Sequence, residues 1–327
     1  MRSGFVSIVG RPNAGKSTLL NALVGEKLAI VTHKAQTTRN RISGIVNLKR
    51  SGRRPGGQII FVDTPGIHKP ADALNKRMMQ EVHDAVEGCD LLLLVVDATQ
   101  KFGSSRQGSQ TPGVARGGME DQFALDLVKR SGIKTFLLLN KIDLLAKDRL
   151  LPIIELYSAL HNFAEVIPIS AVKKDGLDLL LNKVVANLPE GPQYFPPGQV
   201  TDQPERFVAA ELIREQVLVL TQQEVPYAST VIVEQFEESE KLVKIAAVIY
   251  VERDGQKAIV IGRQGAMLKE IGTRARHAIE RLLNKKVFLE LFIKVRSGWR
   301  ESRQFVDELD WRKQLQGLGS RDRKPQE

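Results

Sequence analysis

Eight residues near the start of the chain have the types and spacing of a loop that holds phosphate groups. Residues 10–17 read GRPNAGKS, which fits the pattern G-x-x-x-x-G-K-[ST], between a short apolar run and a helical pattern. In such a loop backbone N–H groups surround phosphate oxygens, Lys16 reaches the β- and γ-phosphates, and the Ser17 hydroxyl ligates Mg²⁺. We expect the nucleotide to contact Gly10, Asn13, Ala14, Gly15, Lys16, Ser17 and Thr18.

A second motif, DTPG at residues 63–66, follows another apolar run of strand length. In P-loop GTPases an aspartate at this place contacts the Mg²⁺ shell, and the glycine N–H contacts the γ-phosphate. A threonine from QTTR, residues 36–39, completes that shell; Thr38 is favoured over Thr37, and the sequence leaves the choice open. The predicted Mg²⁺ ligands are Ser17, Thr38 and Asp63, and the predicted catalytic residues are Lys16, Thr38 and Gly66.

The tetrad NKID, residues 140–143, predicts that the base is guanine. A carboxylate at Asp143 can accept hydrogen bonds from guanine N1–H and its exocyclic amine, which adenine does not present in that arrangement. Asn140 is expected either to contact the base edge or to brace the phosphate loop, and the Lys141 stem to cover the ring. Ser170 and Ala171 follow the next apolar run, where a backbone N–H is expected to read guanine O6. The predicted substrate is therefore GTP, and the product GDP.

Ile67 occupies the position after the motif glycine, where many GTPases place a glutamine that orients the attacking water. An apolar side chain cannot do this, so we expect slow intrinsic hydrolysis. Asn13 resembles the asparagine that helps to hold K⁺ against the phosphates in related GTPases, which makes K⁺ a candidate cofactor beside Mg²⁺.

The elements that position these residues alternate between strands and helices. Continuous apolar runs at 91–96, 135–139 and 165–169 suit strands buried on both faces, with helical patterns between them. This predicts a doubly wound α/β fold with a mainly parallel sheet over residues 1–188. A segment rich in Gly, Ser and Gln at 102–118 is expected to be a flexible insertion, and the basic segment 49–57 a loop between two strands.

Composition limits the cellular setting and the partners. The single cysteine, Cys89, rules out an internal disulfide, and a net charge of +10 favours a polyanionic partner, either nucleic acid or an acidic membrane surface. The first residues lack a long apolar segment, so we expect no signal peptide, and the longest apolar run is too short to cross a bilayer. We therefore expect a cytoplasmic protein whose contact with a membrane is at most peripheral. We also expect a monomer.

Prolines separate a second domain from the first. Residues 189–205 are proline-rich and predict a semi-rigid linker, followed by an α+β domain at 206–300 and a charged tail at 301–327. Within that domain IGRQG contains a G-x-x-G loop, which we place between a strand and a helix, with a break near Gly272 in the helical pattern that follows. Between residues 257 and 303 Lys and Arg outnumber acidic residues by eight, which favours an RNA-binding surface. The expected RNA contacts are Gly262, Arg263, Gln264, Gly265, Lys269, Arg274 and Arg276.

In combination these motifs resemble one family. GRPNAGKST, KAQTTRNRI, DTPGIHKP, NKID and IGRQGAMLKEIGTRAR look like the motifs of the Era family of ribosome-assembly GTPases, over residues 5–300. The resemblance implies a P-loop NTPase domain followed by a type II KH domain. It also implies binding of small-subunit ribosomal RNA near its 3′ end under the control of GTP, a role in 30S subunit assembly, and peripheral contact with the inner membrane.

Two other functions compete with this interpretation. The chain could be a KH-type RNA-binding module whose nucleotide domain binds GTP with little turnover, which Ile67 favours. It could also be a signalling GTPase recruited to anionic lipid, but the alternation of basic and apolar residues at 285–296 suits a strand better than a membrane-surface helix.

Overall fold

The computed structural model describes residues 1–34, 36–52, 55–67, 72–100 and 119–313, with only the backbone at 119 and 120. These residues form two compact units: Met1–Ala29, Thr38–Lys69 and Met78–Asp202 make the first, and Ile30–Thr37, Pro70–Arg77 and Gln203–Glu327 the second. Each unit is therefore discontinuous in sequence, because two short segments of the N-terminal half cluster with the C-terminal residues. The insertion expected at 102–118 and the polar end of the tail lie outside the described residues.

Six strands and five α-helices are described up to residue 187. The strands are β1 (Arg2–Val9), β2 (Ile42–Leu48), β3 (Gly57–Asp63), β4 (Leu91–Asp97), β5 (Thr135–Asn140) and β6 (Glu165–Pro168). The helices are α1 (Lys16–Val24), α2 (Ala73–Glu87), α3 (Met119–Ser131), α4 (Leu150–Leu160) and α5 (Leu177–Asn187). The apolar runs predicted as strands at 91–96, 135–139 and 165–169 agree with β4, β5 and β6 to within one residue at each end, whereas α5 was not foreseen.

These strands form one sheet in the order β2-β3-β1-β4-β5-β6, in which only β2 is antiparallel to its neighbour. The predicted doubly wound, mainly parallel α/β fold is confirmed. Because β1, β3, β4, β5 and β6 run the same way, their carboxyl ends meet at one edge, where such folds bind ligands. The loops that follow β1, β3 and β5 contain the three predicted nucleotide motifs.

The sheet has a core on each face, because neighbouring side chains of a strand point to opposite sides. Phe136 and Leu138 pack in one cluster with side chains of α1 and α5, whereas Leu137 and Leu139 pack in another with α2, α3 and α4. All four side chains are fully buried. Two-sided burial explains why the strands are continuous apolar runs rather than alternating ones.

The second unit is the predicted α+β domain, in which the main elements are a helix, two strands, two helices and a strand. Its elements are α6 (Glu205–Leu220), α7 (Val225–Ala228), β7 (Thr230–Glu238), β8 (Leu242–Val251), α8 (Asp254–Ile261), α9 (Ala266–Leu283), β9 (Lys286–Val295) and α10 (Arg303–Glu308). The sheet order is β7-β8-β9, with β8 antiparallel to β7 and parallel to β9. One face packs against α6 and α9 around buried Val and Ile side chains.

Two predictions about this unit were wrong in detail. The G-x-x-G loop lies between helices α8 and α9 rather than after a strand, because the Gln256 side chain accepts hydrogen bonds from the N–H groups of Glu252 and Arg253 (2.9 and 3.2 Å) and starts a helix there. The helix α9 runs through Gly272 without a break, with that glycine against β9 beside Leu291. The charged tail also starts with ordered structure, since α10 buries Phe305.

The proline-rich segment is held along the first unit up to residue 202. The Gln58 side chain on β3 is fully buried, and its oxygen accepts from the N–H groups of Tyr194 and Phe195 (2.8 and 2.9 Å). Its amide nitrogen donates to the carbonyl of Phe195 (2.8 Å) and to Asn47 Oδ1 (2.9 Å). Prolines deprive this segment of donors for regular structure, so the Gln58 side chain satisfies part of its backbone instead.

Replacing Gln58 by leucine should loosen this segment. The apolar side chain would leave two N–H groups and a carbonyl of the segment without partners, so we expect the free energy of unfolding of the first unit to fall by about 2–4 kcal/mol. Limited proteolysis should cut between residues 189 and 202 faster, while Gln122→Leu, at an exposed position of α3, should change either measurement little. Wild-type proteolysis in Gln58→Leu would contradict this role.

Candidate functional site

The phosphate loop has a backbone that only glycine can supply at two places. Gly10 and Gly15 have φ angles of 148° and 96°. A Cβ atom at Gly10 would lie 2.4 Å from the carbonyl oxygen of Val95, and one at Gly15 would lie 2.3 Å from Nδ2 of Asn140. Gly15 is also the N-cap of α1, where it has no side chain to occupy the first N–H groups. The helix therefore presents its N–H groups and its positive dipole end to an anion.

Lys16 lies across this loop. Its ammonium group donates to the carbonyl oxygens of Gly10 and Arg11, each at 2.9 Å, and the side chain is buried. These bonds hold a positive charge at the loop that encloses the predicted β- and γ-phosphates. Asn13, also in the loop, has a left-handed backbone with φ 62°.

Three oxygen ligands converge beside the loop. Ser17 Oγ lies 2.8 Å from Thr38 Oγ1 and donates to Asp63 Oδ2 at 2.7 Å, and Thr38 Oγ1 donates to the same carboxylate oxygen at 3.2 Å. The Thr37 hydroxyl instead donates to the carbonyl of Lys34 (2.7 Å). The structure therefore brings together the three predicted Mg²⁺ ligands and places Thr37 elsewhere.

Asp63 has the properties of a carboxylate that can ligate a cation. Its side chain is completely buried, and Oδ1 has no hydrogen-bond partner among the described residues. Burial raises the pKa of Asp63 to about 6, against the opposing effects of the Lys16 charge and of hydrogen bonds from Ser17 and Thr38. Hard divalent cations prefer such oxygen donors, so Ser17, Thr38 and Asp63 fit Mg²⁺.

The Asp-x-x-Gly turn lies against the phosphate loop. A Cβ on Gly66 would lie 2.7 Å from Cγ of Pro12, and the N–H of Ile67 donates to the carbonyl of Gly10 (3.2 Å). The Ile67 side chain is fully buried in the cluster of α2, α3 and α4. It therefore packs in the core rather than toward the phosphates, and the chain supplies no water-orienting side chain at this position.

Asn140 braces two loops. Its Nδ2 donates to the carbonyl of Ala14 (2.8 Å), and its Oδ1 accepts from the N–H of Ala171 (3.0 Å). Of the two roles expected for Asn140, the structure has the brace of the phosphate loop. Asp143 is exposed, and one of its oxygens accepts from the Ser170 hydroxyl (2.6 Å), which orients the carboxylate expected to read guanine.

Sequence analysis missed Asp97. Its carboxylate is 3% exposed and accepts from the Lys141 ammonium (2.8 Å) and from the Thr99 hydroxyl (2.6 Å), with the Arg11 guanidinium 3.7 Å away. Burial opposes its ionisation, but the bonds from Lys141 and Thr99 outweigh burial and hold the pKa of Asp97 below its usual value. Asp97 is the last residue of β4 and pairs in register with Asn140. An acidic residue at the end of an apolar strand is the sequence feature that could have identified it.

The G-x-x-G loop of the second unit also depends on glycine. Gly262 has φ 72° and ψ 177°, and a Cβ there would lie 2.6 Å from the Met267 Cβ. Gly265, with φ 79°, is the N-cap of α9 and leaves its first N–H groups accessible. Gln264 takes a left-handed backbone as well, at φ 50°.

A groove of about 510 Å³ runs from this loop between α9 and β9. Among the predicted RNA contacts, Gly265, Lys269 and Arg276 line it. Gly262, Arg263 and Gln264 lie in the adjoining loop and do not line the groove. Arg274 lies on another face of α9, where it forms an ion pair with Glu270 (2.7 Å). Arg274 and Arg276 are two residues apart on α9, and residues at that spacing do not share a helix face.

Comparisons with known proteins agree on both parts of the chain. A family model described as "50S ribosome-binding GTPase" matches residues 5–141, and a KH domain model matches residues 224–300. "GTPase Era" of Syntrophus aciditrophicus is 49% identical over 95% of this chain and 95% of its own. "GTPase Era" of Geobacter metallireducens is also 49% identical, over 95% of this chain and 98% of its own.

Two solved structures resemble the chain closely. A single-residue variant of Aquifex aeolicus Era bound to GDP·AlF₄⁻ is 36% identical, covering 94% of this chain and 98% of its own, with a TM-score of 0.84. A structure of Era in complex with MgGDPNP and nucleotides 1506–1542 of 16S ribosomal RNA has the same identity, coverage and TM-score.

Asp97→Asn tests the role of the buried carboxylate. The amide can still accept from Thr99, but it removes the charge that holds Lys141, so we expect GDP to dissociate about 10-fold faster. Stopped-flow release of a fluorescent GDP analogue measures this rate, with the exposed Asp148→Asn as a matched control. A merely structural role would lower the melting temperature of the nucleotide-free protein and leave the release rate of the folded fraction unchanged.

Proposed function

The chain belongs to the Era family of GTPases, and on that premise we propose that it is a guanine-nucleotide switch that binds small-subunit ribosomal RNA and acts in 30S subunit assembly. One observation supports this most strongly: a relative that matches this chain over both parts is solved with MgGDPNP and with a fragment of 16S RNA. The model description that refers to the 50S subunit concerns residues 5–141 alone, so we favour the small subunit.

The residues of the first unit account for nucleotide binding and for slow turnover. The N–H groups at the start of α1 and the Lys16 ammonium bind phosphate oxygens, and Asp143 selects guanine. Mg²⁺, when bound by Ser17, Thr38 and Asp63, neutralises charge on the phosphates. Because Ile67 is buried in the core, the attacking water is oriented by something other than this side chain. The chain is a GTPase, and we expect its turnover to be slow without a further component.

We propose that K⁺ is that component and that Asn13 helps to hold it. The left-handed backbone of Asn13 and the burial of Ile67 support this. Hydrolysis should be about 10-fold faster in K⁺ than in Na⁺, and Asn13→Ala should abolish that difference while GDP affinity stays the same in both salts. Equal rates in K⁺ and Na⁺ for the wild-type protein would refute the proposal.

For RNA binding, Arg276 and Arg274 form a matched pair on one helix. Arg276→Ala should weaken binding to the 3′ fragment of 16S RNA about 10-fold and reduce the salt dependence of the binding constant by about one phosphate contact. Arg274→Ala, outside the groove, should change both little. Fluorescence anisotropy over a range of KCl concentrations measures both quantities, and equal losses in the two variants would place the RNA elsewhere.

Crosslinking in cells, with the bound RNA sequenced, tests the assembly role. Reads concentrated near the 3′ end of 16S RNA are expected. Reads scattered across messenger RNA would instead favour a general KH-type RNA-binding module, and negligible turnover with RNA and K⁺ both present would favour the alternative in which the nucleotide domain is structural.

The cellular location is a proposal of the same kind. We propose a cytoplasmic monomer that contacts the inner membrane peripherally, a location supported by the net charge of +10. Within the part of the chain that the structure describes, every helix is too short or too polar to cross a bilayer. Flotation with vesicles containing anionic lipid tests the contact, and protein that stays at the bottom of the gradient would exclude it.

A further inference from the structure

Two large aromatic side chains of the second unit are exposed to solvent on strand β9. Phe288 and Phe292 are 53% and 52% exposed. Alternation along the strand points Val287, Leu289, Leu291 and Ile293 toward the helices, and points the two phenylalanines to the opposite, outer face of the sheet. The packing of the hydrophobic core therefore does not explain why these two positions carry large apolar side chains.

The outer face is partly covered, since Val248 of β8 is fully buried on it. There Tyr250 of β8 packs edge-on against Phe305 of α10, with ring centroids 5.0 Å apart. Phe292 lies beside Val248 in the sheet register, and Phe288 lies beside Lys244. The strip formed by Phe288 and Phe292, which we call the β9 strip, remains open to solvent.

The strip continues the groove in which RNA is expected. Because β9 is an edge strand, Phe288 borders the groove together with Lys269 and Arg276, although its side chain points to the outer face. Phe292 follows four residues later on the same strand. At about 3.3 Å per residue the two phenylalanines lie roughly 13 Å apart, which leaves room for a separate base on each ring. A single strand that leaves the groove at Phe288 meets Phe292 next.

The charges near Phe292 favour bases over phosphates. Lys294 is paired with Glu234 (3.2 Å), and Lys285 is paired with Glu238. Glu290 lies between the two phenylalanines and adds a negative charge. Lys244 and Lys286 lie beside Phe288 on the same face, so the cations gather at that end of the strip and not around Phe292. The strip offers flat aromatic rings, on which unpaired bases stack.

We propose that Phe288 and Phe292 form a base-stacking platform that extends the RNA-binding groove along β9. Its ligand is the unpaired, single-stranded RNA adjoining the segment held in the groove. This rests on the proposed RNA binding of the second unit. It differs from that binding in its physical basis, because stacking requires no phosphate contact and is insensitive to salt.

The test compares two RNA lengths in the full-length protein. Phe292→Ser should weaken binding of an RNA that extends several nucleotides beyond the groove about 10-fold, which is one stacked base, and leave unchanged a short RNA that fills only the groove. The salt dependence should stay at its wild-type value, because no phosphate contact is lost. Phe292→Trp should restore the affinity, and Val219→Ser, at an equally exposed apolar position of α6, serves as the control.

Any other result overturns the proposal of a base-stacking platform. Equal weakening for short and long RNA means that the substitution damages the groove, and a reduced salt dependence means that a phosphate contact was lost. Unchanged RNA affinity, combined with loss of co-sedimentation with small ribosomal subunits, assigns the strip to a protein partner. If the wild-type protein binds neither RNA and Arg276→Ala has no effect, the proposed function fails first and independently of Phe292.

Discussion

The side-chain amide of Asn140 lies where the phosphate loop meets the loop after β6, and the nucleotide site depends on its two hydrogen bonds. It donates to Ala14 and accepts from the N–H of Ala171, so one buried group sets the distance between the phosphate end and the guanine end. The close approach of its nitrogen also explains why Gly15 cannot carry a Cβ atom. Such a brace works because parallel strands bring both loops to the same edge of the sheet.

In the first unit, the residues that hold the nucleotide are distinct from the position that would orient water. Charges and hydroxyl groups that hold the nucleotide converge at the loop: Lys16 on one side, and Ser17 with Asp63 on the other. The position that would orient water is instead part of the hydrophobic core, through Ile67. The first unit therefore supplies groups that can hold the nucleotide, but it supplies no water-orienting side chain at position 67.

The second unit uses the same physical device for a different anion. In both units a glycine with a left-handed backbone ends a loop and begins a helix, Gly15 before α1 and Gly265 before α9. Each helix start then offers N–H groups to phosphate oxygens. What differs is the lining beside it: a buried carboxylate that suits Mg²⁺ in one, and Lys269, Arg276 and apolar side chains that suit an RNA strand in the other.

Much of the site could be predicted because its motifs are short stretches of chain. Loops such as GRPNAGKS and GRQG require their glycines for local backbone reasons, and the buried strands are apolar on both faces. The helix α8 could not be predicted, because a short apolar run such as AIVI suits a strand equally well until Gln256 caps it. Errors of this kind arise wherever a local pattern suits a helix and a strand equally well.

By itself the sequence determined the family, and with it a GTPase domain and a KH domain, since the residue types and spacing of the motifs carry that chemistry. Only the tertiary structure decided which side chains of the motifs meet. It brought Thr38 rather than Thr37 to Asp63, gave Arg276 the groove and Arg274 a partner outside it, and joined Lys141 to Asp97, 44 residues away. The physical reason is that a side chain's partner depends on how distant segments pack, and that information is absent from any local pattern.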